Sequence, residues 1–485
     1  MASPTTSTPT DSLTTIPGFG LARTIPAVDT CMDISICRTR YTIIWSSLVT
    51  ILACVWTAVH RNVPEPERAG ESRIWRIAGR VWEAAKIMMV TVLVPEWVLA
   101  LAVRQLLNAR AVKQELEWAR SGREQKIPRW MRFELRDRLE TARRRAARES
   151  SGEERGIQEE KAAMRPAAID GLEGESTAVQ LAFDMAAINK QNGRLNTDWT
   201  TRHGFSVIMG GFHYYMDGQP QCPMTREDVV VLVHSGDLVP PSDEEIRNWS
   251  QNDVLSKTVA IVQTLWFVVQ AIARRMEGLP IMQLEVVTLA YTTITVAMYV
   301  AWWDKPQNVG GPVRVAVRKL PVAGLAEEST WYQRIYYVIG GLQDELVDLR
   351  KERRVPTFYS GGGRNAGPAD VIAFIAAIVF GAVHCAAWNY AFPSDVEKLI
   401  WRVSSFAIVA LPTVMLVPVL ILVRWYWEMP YFVHGVLFPF MFTLSAPLYI
   451  TARLLLLALS FSTLRSLPPD AYRAVEWTLR IPHFT

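Results

Sequence analysis

The amino-acid sequence predicts an all-α fold, a polytopic transmembrane helix bundle of about six or seven spans with two long basic cytosolic loops. Three observations carry that expectation. The 485-residue chain is 50% hydrophobic yet 20% charged, with a mean hydropathy of +0.11, which is the mark of very apolar blocks alternating with charged ones. Several apolar blocks reach the length needed to cross a hydrocarbon core. Basic residues gather beside those blocks, as expected of cytosolic loops. The net charge of +4 is small for this length and forms no basic face, so nucleic acid is not expected as a partner.

Residues 1–40 are rich in Thr, Ser and Pro without an apolar core of signal-peptide length, and read as a disordered tail with no cleaved signal. Membrane segments follow over 41–103. Tyr41 to Val59 is charge-free and closed by His60-Arg61-Asn62-Val63-Pro64, a first span. Ile87 to Val103 is short and carries Pro95-Glu96 at its centre, so it is a broken span, a re-entrant segment or an interfacial helix. A charged cytosolic loop occupies 104–255. Its first part, Arg104 to Arg148, holds 14 Lys and Arg against 6 Asp and Glu, reading as a solvated or lipid-facing helix. Residues 149–195 read as a partly disordered insertion. A compact aromatic part spans 199–246, with His203, Gly210-Gly211 and His213, and closes on Ser242-Asp243-Glu244-Glu245, a helix-start signal.

The hairpin over 256–303 is the most informative stretch. Two apolar helices flank the turn Arg274-Arg275-Met276-Glu277-Gly278-Leu279-Pro280. Ser256, Gln263, Gln270 and Arg274 recur on one face of the first; Glu285, Thr288, Thr292, Thr295 and Tyr299 recur on one face of the second. These two polar stripes are expected to meet around a cavity. A second basic loop fills 304–369, and the last membrane segments lie in 370–464: Val371 to Pro393, Val403 to Val423 kinked by Pro412 and Pro418, and a final span around Leu444 to Leu464. Ala373, Ala377 and Gly381 form a small-residue face suited to close helix packing. Residues 465–485 form an amphipathic tail. With both long loops cytosolic, the hairpin turn is lumenal. The side of the amino terminus depends on whether Ile87 to Val103 spans. Cys31 and Cys37 form a possible disulfide if that tail is lumenal; the other three cysteines are scattered and no zinc spacing occurs. Trp at the ends of apolar runs, including Trp97, Trp302, Trp303, Trp388 and Trp401, are expected in the headgroup layer.

Ionisable groups inside spans are costly and usually face the protein interior, which singles out Glu96, Glu285, His384 and Arg453. Each has a structural explanation as well. Glu285 opens its helix, where the dipole favours a carboxylate; Glu96 beside Pro95 suits the start of a second half-helix; His384 suits a packed core; Arg453 is expected to pair with Glu285 or Glu96. As chemistry, Glu285, Glu96 and His384 are the candidate catalytic groups, a buried carboxylic acid serving as proton donor, while Gln263, Gln270, Arg274, Thr292, Tyr299 and Arg453 shape a substrate site. The sequence has neither paired His motifs nor an Asp-rich diphosphate motif, and no cofactor or metal is expected.

The segments Ile43-Ile44-Trp45-Ser46-Ser47-Leu48, Pro95-Glu96-Trp97, His203-Gly204-Phe205, Met209-Gly210-Gly211-Phe212, Gly278-Leu279-Pro280, Leu284-Glu285, Trp302-Trp303-Asp304-Lys305-Pro306 and Ile481-Pro482-His483-Phe484 together resemble a large fungal family of multi-pass integral membrane proteins. Some members accompany genes for polyketide or terpenoid metabolites. The resemblance implies an endomembrane protein, in the endoplasmic reticulum or a related membrane, and an accessory enzyme that cyclises or isomerises a hydrophobic intermediate. Its partners would be that small molecule, membrane lipid and other enzymes of the same pathway. A transporter or channel, or a membrane scaffold, is the alternative.

Overall fold

The computed structural model describes residues 37–66, 72–121, 198–235, 238, 241–249, 253–307, 309–317, 330–331, 334, 337–338, 341, 343–362, 366–425 and 438–475. The expected disorder over 1–40 lies outside them up to residue 36, while residues 37–40 are placed, with Arg38 hydrogen-bonded and Thr39 capping α1, and the expected disorder over 149–195 also lies outside them. The chain runs α1 (Arg40–Ala58), α2 (Arg73–Leu93), α3 (Pro95–Ser121), α4 (Thr201–Ile208), β1 (Phe212–Met216), β2 (Gln219–Pro223), α5 (Arg226–Ser235), α6 (Asp243–Trp249), α7 (Asp253–Met276), α8 (Gln283–Ala301), β3 (Val313–Ala316), α9 (Ala366–Cys385), α10 (Asp395–Trp425) and α11 (Phe438–Ser462). Among the described residues, six helices are long and apolar enough to cross a membrane: α1, α7, α8, α9, α10 and α11. Their outer faces leave large apolar side chains uncovered, among them Trp45 and Trp56 on α1, Leu265 and Ile272 on α7, and Phe406 on α10.

Polar contacts sort the loops into two ends of the bundle. At one end Arg38 donates to Glu285 and to the Ala471 carbonyl, Arg274 to the Arg473 carbonyl, and Gln283 Nε2 to the Ala391 carbonyl. At the other, Lys305 donates to His60 and Gln105, Asn62 to the Pro356 carbonyl, and Arg104 pairs with Asp370. The six helices therefore alternate in direction from α1 to α11. Cys37, at the first end, is disulfide-bonded; the Cys31–Cys37 pairing expected from the sequence lies outside the described residues. Cys54, Cys222 and Cys385 are free.

The α2–α3 pair does not continue that alternation. The two helices meet at 112°. Arg61 donates to the Arg80 carbonyl, and Glu83 reaches Arg354 and Thr357, so α2 starts at the second end of the bundle. α3 returns to that same end, where Gln105 accepts from Trp302 and Asn108 donates to the Ser360 carbonyl. The α2–α3 pair thus leaves and returns to one end of the bundle, the course that the re-entrant reading of Ile87 to Val103 expects.

The second half of α3 leaves the bundle and becomes the spine of a small mixed α/β subdomain, a correction to the all-α expectation. Here β1 pairs antiparallel with β2 through an Asp217-Gly218 turn, both residues at positive φ, and parallel with β3, giving the order β2-β1-β3. Glu115 holds Arg226 with two bonds of 2.6 Å. His203 caps α4 by accepting from the Thr200 backbone and donating from Nε2 to the Pro241 carbonyl. Ser242 and Glu245 form the reciprocal cap of α6 that the sequence announces. α4 crosses α3 at Gly204, where a Cβ would overlap the Ala109 carbonyl. Because backbone meets backbone there, Gly204→Ala is expected to cost about 3 kcal/mol, read as a fall in thermal midpoint and in monodisperse yield. A variant of unchanged stability contradicts the close crossing.

Two further expectations change. α1, not α8, is the main neighbour of α7, and α1 packs on both helices of the hairpin. The two polar stripes therefore face α1 rather than each other. Trp302 and Trp401 are fully buried instead of lying in a headgroup layer, whereas Trp303 and Trp388 are exposed. On α9, Gly381 makes the close approach, its Cβ position 2.7 Å from Val409 Cγ2 on α10. α10 runs as one helix through Pro412 and Pro418.

Candidate functional site

Breaking a helix inside an apolar bundle frees backbone groups that must find partners. Pro95 opens α3 at the first helical position, where its missing N–H costs nothing. The Val92 carbonyl, in the last turn of α2, accepts from the Tyr291 hydroxyl of α8. Glu96 lies in the first turn of α3, favoured there by the helix dipole. Its Oε2 accepts from Arg453 Nη1 of α11 at 2.7 Å, with Glu96 only 8% and Arg453 6% exposed.

Arg453 completes its shell with Tyr291 Oη at 3.2 Å and Tyr449 Oη, one helical turn back, at 3.4 Å. Its guanidinium lies 4.1 Å from the centre of the Phe380 ring of α9. The tyrosine hydroxyls and the Phe380 ring meet the remaining capacity of the guanidinium, which offsets its desolvation, while Glu96 Oε1 is buried with no hydrogen-bond partner among the described residues. The pair thus fastens the tip of the re-entrant pair to α8, α9 and α11 together.

Beside the pair opens a cavity of about 560 Å³ between the α2–α3 tip and α9, α10 and α11. Its walls are overwhelmingly apolar and aromatic, with Trp97, Phe358, Phe374 and Phe442 contributing rings. Glu96 and Tyr449 line one region, and the Arg104–Asp370 pair another. That volume, an apolar lining and a few placed polar groups are the usual make-up of a small-molecule site. Ala373 and Ala377 lie on its wall, so the small-residue face of α9 serves the cavity as well as packing. Among the described residues, no three His, Cys, Asp or Glu side chains converge to hold a metal ion.

Of the residues singled out from sequence, the structure brings together Glu96, Arg453 and His384, but in unequal roles. His384 is sealed: its Nδ1 bonds the Phe380 carbonyl at 2.8 Å, its ring packs on Phe380 and Trp401, and the adjoining void is only about 10 Å³. It is packed as a core histidine and is not among the residues that line the large cavity.

Glu285 stands apart from this cluster. One oxygen accepts from Arg38 and the other from the Met282 backbone N–H at 2.8 Å, so its carboxylate caps α8 and ties the amino-terminal segment to the hairpin. Arg274 likewise ties the turn together, donating to the Pro280 and Arg473 carbonyls. Gln263 donates to Thr50 of α1, Tyr299 shares a hydrogen bond with Thr57 of α1, and Thr292 bonds its own helix at Leu289. Gln270 is half-buried on the same helix as Gln263, and the Ser256 side chain lies outside the described ones. None of the six with described side chains lines the large cavity. In the hairpin stripes Thr288, Thr292 and Thr295 bond backbone carbonyls three or four residues back, while Gln263, Arg274, Glu285 and Tyr299 bond neighbouring segments.

Sequence reasoning missed Tyr291, Phe380, Tyr449 and the Arg104–Asp370 pair. A signal existed for Tyr449, which sits four residues before Arg453 on one helix face. Arg104 and Asp370 each flank an apolar run by one or two residues. Tyr291 and Phe380 carry no local signal, since only the tertiary crossing of α8 and α9 makes them neighbours of the guanidinium.

No curated protein and no solved structure matches the chain. A family of unknown function, DUF8562, matches residues 25–151 and 175–326, more than half of the sequence. The match covers α1, the re-entrant pair, the mixed subdomain and the hairpin; Glu96 and Tyr291 lie within it, whereas Tyr449 and Arg453 lie beyond it. The chain belongs to the DUF8562 family of unknown function.

Proposed function

We propose that the protein is an integral membrane protein that takes a hydrophobic small molecule into the cavity beside Glu96 and promotes its isomerisation or cyclisation. The observation that carries this reading is the 560 Å³ apolar cavity with a buried carboxylate and a tyrosine hydroxyl in its wall. Glu96 is ion-paired, so its role changes from the proton donor expected from sequence to a base or an anchor for positive charge. The rings of Trp97, Phe374 and Phe442 offer π faces to a cationic intermediate. The company kept by the resembling fungal proteins points to a polyketide or terpenoid as the molecule.

Deleting the gene and profiling metabolites tests the reading. An accumulated uncyclised or unisomerised precursor is expected. Re-introduced Glu96→Gln fails to restore the product while reaching normal protein levels. Ala377→Phe, which fills the cavity, lowers product at least tenfold by excluding the substrate. Full product from Glu96→Gln removes the carboxylate from the chemistry. The re-entrant pair favours one second reading, transport, because broken helices meeting inside a bundle are a feature of transporters. Unchanged products with altered export would select it.

A further inference from the structure

The cavity beside Glu96 follows one face of each of two helices that run in opposite directions. On α3, Glu96, Ala100 and Arg104 line it at spacings of four; on α9, Asp370, Phe374 and Ala377 line it at spacings of four and three. The Arg104–Asp370 pair sets the register between them, at the end of the bundle to which α3 returns. Glu96 and Arg104 are therefore separated along α3 by about 12 Å at 1.5 Å per residue, a distance that about ten carbons span when extended with bonds of ~1.5 Å. Between the two polar ends the wall is made of small and aromatic side chains.

The two ends differ in what they leave open. The side chains of Glu96 and Arg453 are 11% and 5% exposed, and that of Arg104 is 5% exposed, whereas Asp370 keeps 29%. Arg104 is engaged, donating from Nη1 to the Gly341 carbonyl and from Nη2 to Asp370 Oδ1. Asp370 has Arg104 as its one side-chain partner among the described residues, so its Oδ2 remains an acceptor in the cavity wall. An anionic head would meet the Asp370 charge here. An ammonium head would surrender its hydration to a carboxylate whose charge Arg104 already offsets. A hydroxyl loses less on leaving water and gains a bond to an ionised acceptor, one of the stronger kinds. It also suits the direction of the cavity, since Asp370 lies at a loop end of the bundle and the apolar wall leads inward from it, as an amphiphile lies in a membrane leaflet.

We infer that the cavity takes a neutral, elongated apolar molecule whose hydroxyl group donates to Asp370 and whose far end reaches Glu96 and Tyr449. That this molecule is the substrate rests on the reading above, whereas its seating does not. Asp370 then selects and orients the molecule, and Glu96 meets the part of it that reacts.

The test is calorimetric titration of the full-length protein, in one neutral detergent and against a protein-free blank, with 1-decanol, 1-methoxydecane, decanoic acid and decylamine. The alcohol is expected to bind about tenfold more tightly than the ether, the usual worth of one hydrogen bond to a charged group, and more tightly than the acid and the amine. Asp370→Asn, whose amide oxygen still accepts from Arg104, reduces the preference for alcohol over ether to about threefold. Ala377→Phe fills the cavity beyond the head, so it weakens 1-decanol about tenfold and leaves 1-hexanol unchanged. An ether that binds as tightly as the alcohol, or an undiminished preference in Asp370→Asn, would overturn the proposal. So would tighter binding of decylamine, which would make the ligand a cation, and so would equal loss of both alcohols in Ala377→Phe. Should Asp370→Asn fail to fold, the ligand series on the parent and the Ala377→Phe comparison still decide. An alcohol preference together with full product from Glu96→Gln would keep this seating and remove the chemistry, whereas product lost in Glu96→Gln without an alcohol preference would do the reverse.

Discussion

Arg453→Met is expected to destabilise the protein by about 3–5 kcal/mol, the usual cost of removing one partner from a buried ion pair. The methionine fills the volume but leaves the Glu96 carboxylate without its cation in an apolar bundle, and forfeits the guanidinium packed on Phe380. Glu96→Gln strands the buried guanidinium in turn, and its cost is offset in part because a glutamine oxygen still accepts from Arg453 and the guanidinium keeps the Tyr291 and Tyr449 hydroxyls and the Phe380 ring. Glu96→Gln with Arg453→Met recovers part of the loss, since no charge is then stranded. Thermal unfolding and size-exclusion profiles of the four proteins in one detergent measure the cycle. An Arg453→Met protein as stable as the parent would show that the pair does not fasten the re-entrant tip. The asymmetry matters for function, because the Glu96→Gln protein must stay folded for its loss of product to report on chemistry.

The parts of the fold set by local spacing were readable from the chain. Gly278 ends α7 in a left-handed cap, with Leu279 N–H bonding the Arg274 carbonyl, and Pro95 divides α2 from α3. The Asp217-Gly218 turn is equally local, yet the aromatic stretch before it is short and carries no clean alternation to announce a strand. What could not be read was the partner of each polar face. Periodicity places Gln263 and Tyr299 on helix faces but does not say that both faces meet α1. Glu96 and Arg453 are 357 positions apart, and nothing local distinguishes their pairing from the Glu285 alternative. The deciding term is geometric: re-entry carries Glu96 to the depth of Arg453, whereas Glu285 sits at a helix end within reach of Arg38.

Lys305→Met is expected to cost about 2–4 kcal/mol, from buried acceptors left unsatisfied. Lys305 is 2% exposed, and its Nζ donates to the His60 carbonyl at 2.6 Å, Gln105 Oε1 at 2.9 Å and Asn62 Oδ1 at 3.1 Å, with the Trp302 ring 5.1 Å away. Three acceptors match the three donors of an ammonium and join the ends of α1, α3 and α8. Burial pushes its pKa down from 10.5 to about 7, so the unfolded chain keeps a proton that the folded protein gives up between those values. Stability from this group therefore rises with pH from about 7 to about 10.5, by at most about 1.4 kcal/mol per pH unit, and is flat below that window. The gap in thermal midpoint between the parent and Lys305→Met should widen as the pH is raised from about 6.5 to about 9.5. A gap that stays constant would mean that the lysine holds its proton throughout, the three oxygens outweighing desolvation. The lysine joins α3 to the ends of α1 and α8, so loosening it is also expected to loosen the return limb of the re-entrant pair, and with it the wall of the cavity that carries Glu96.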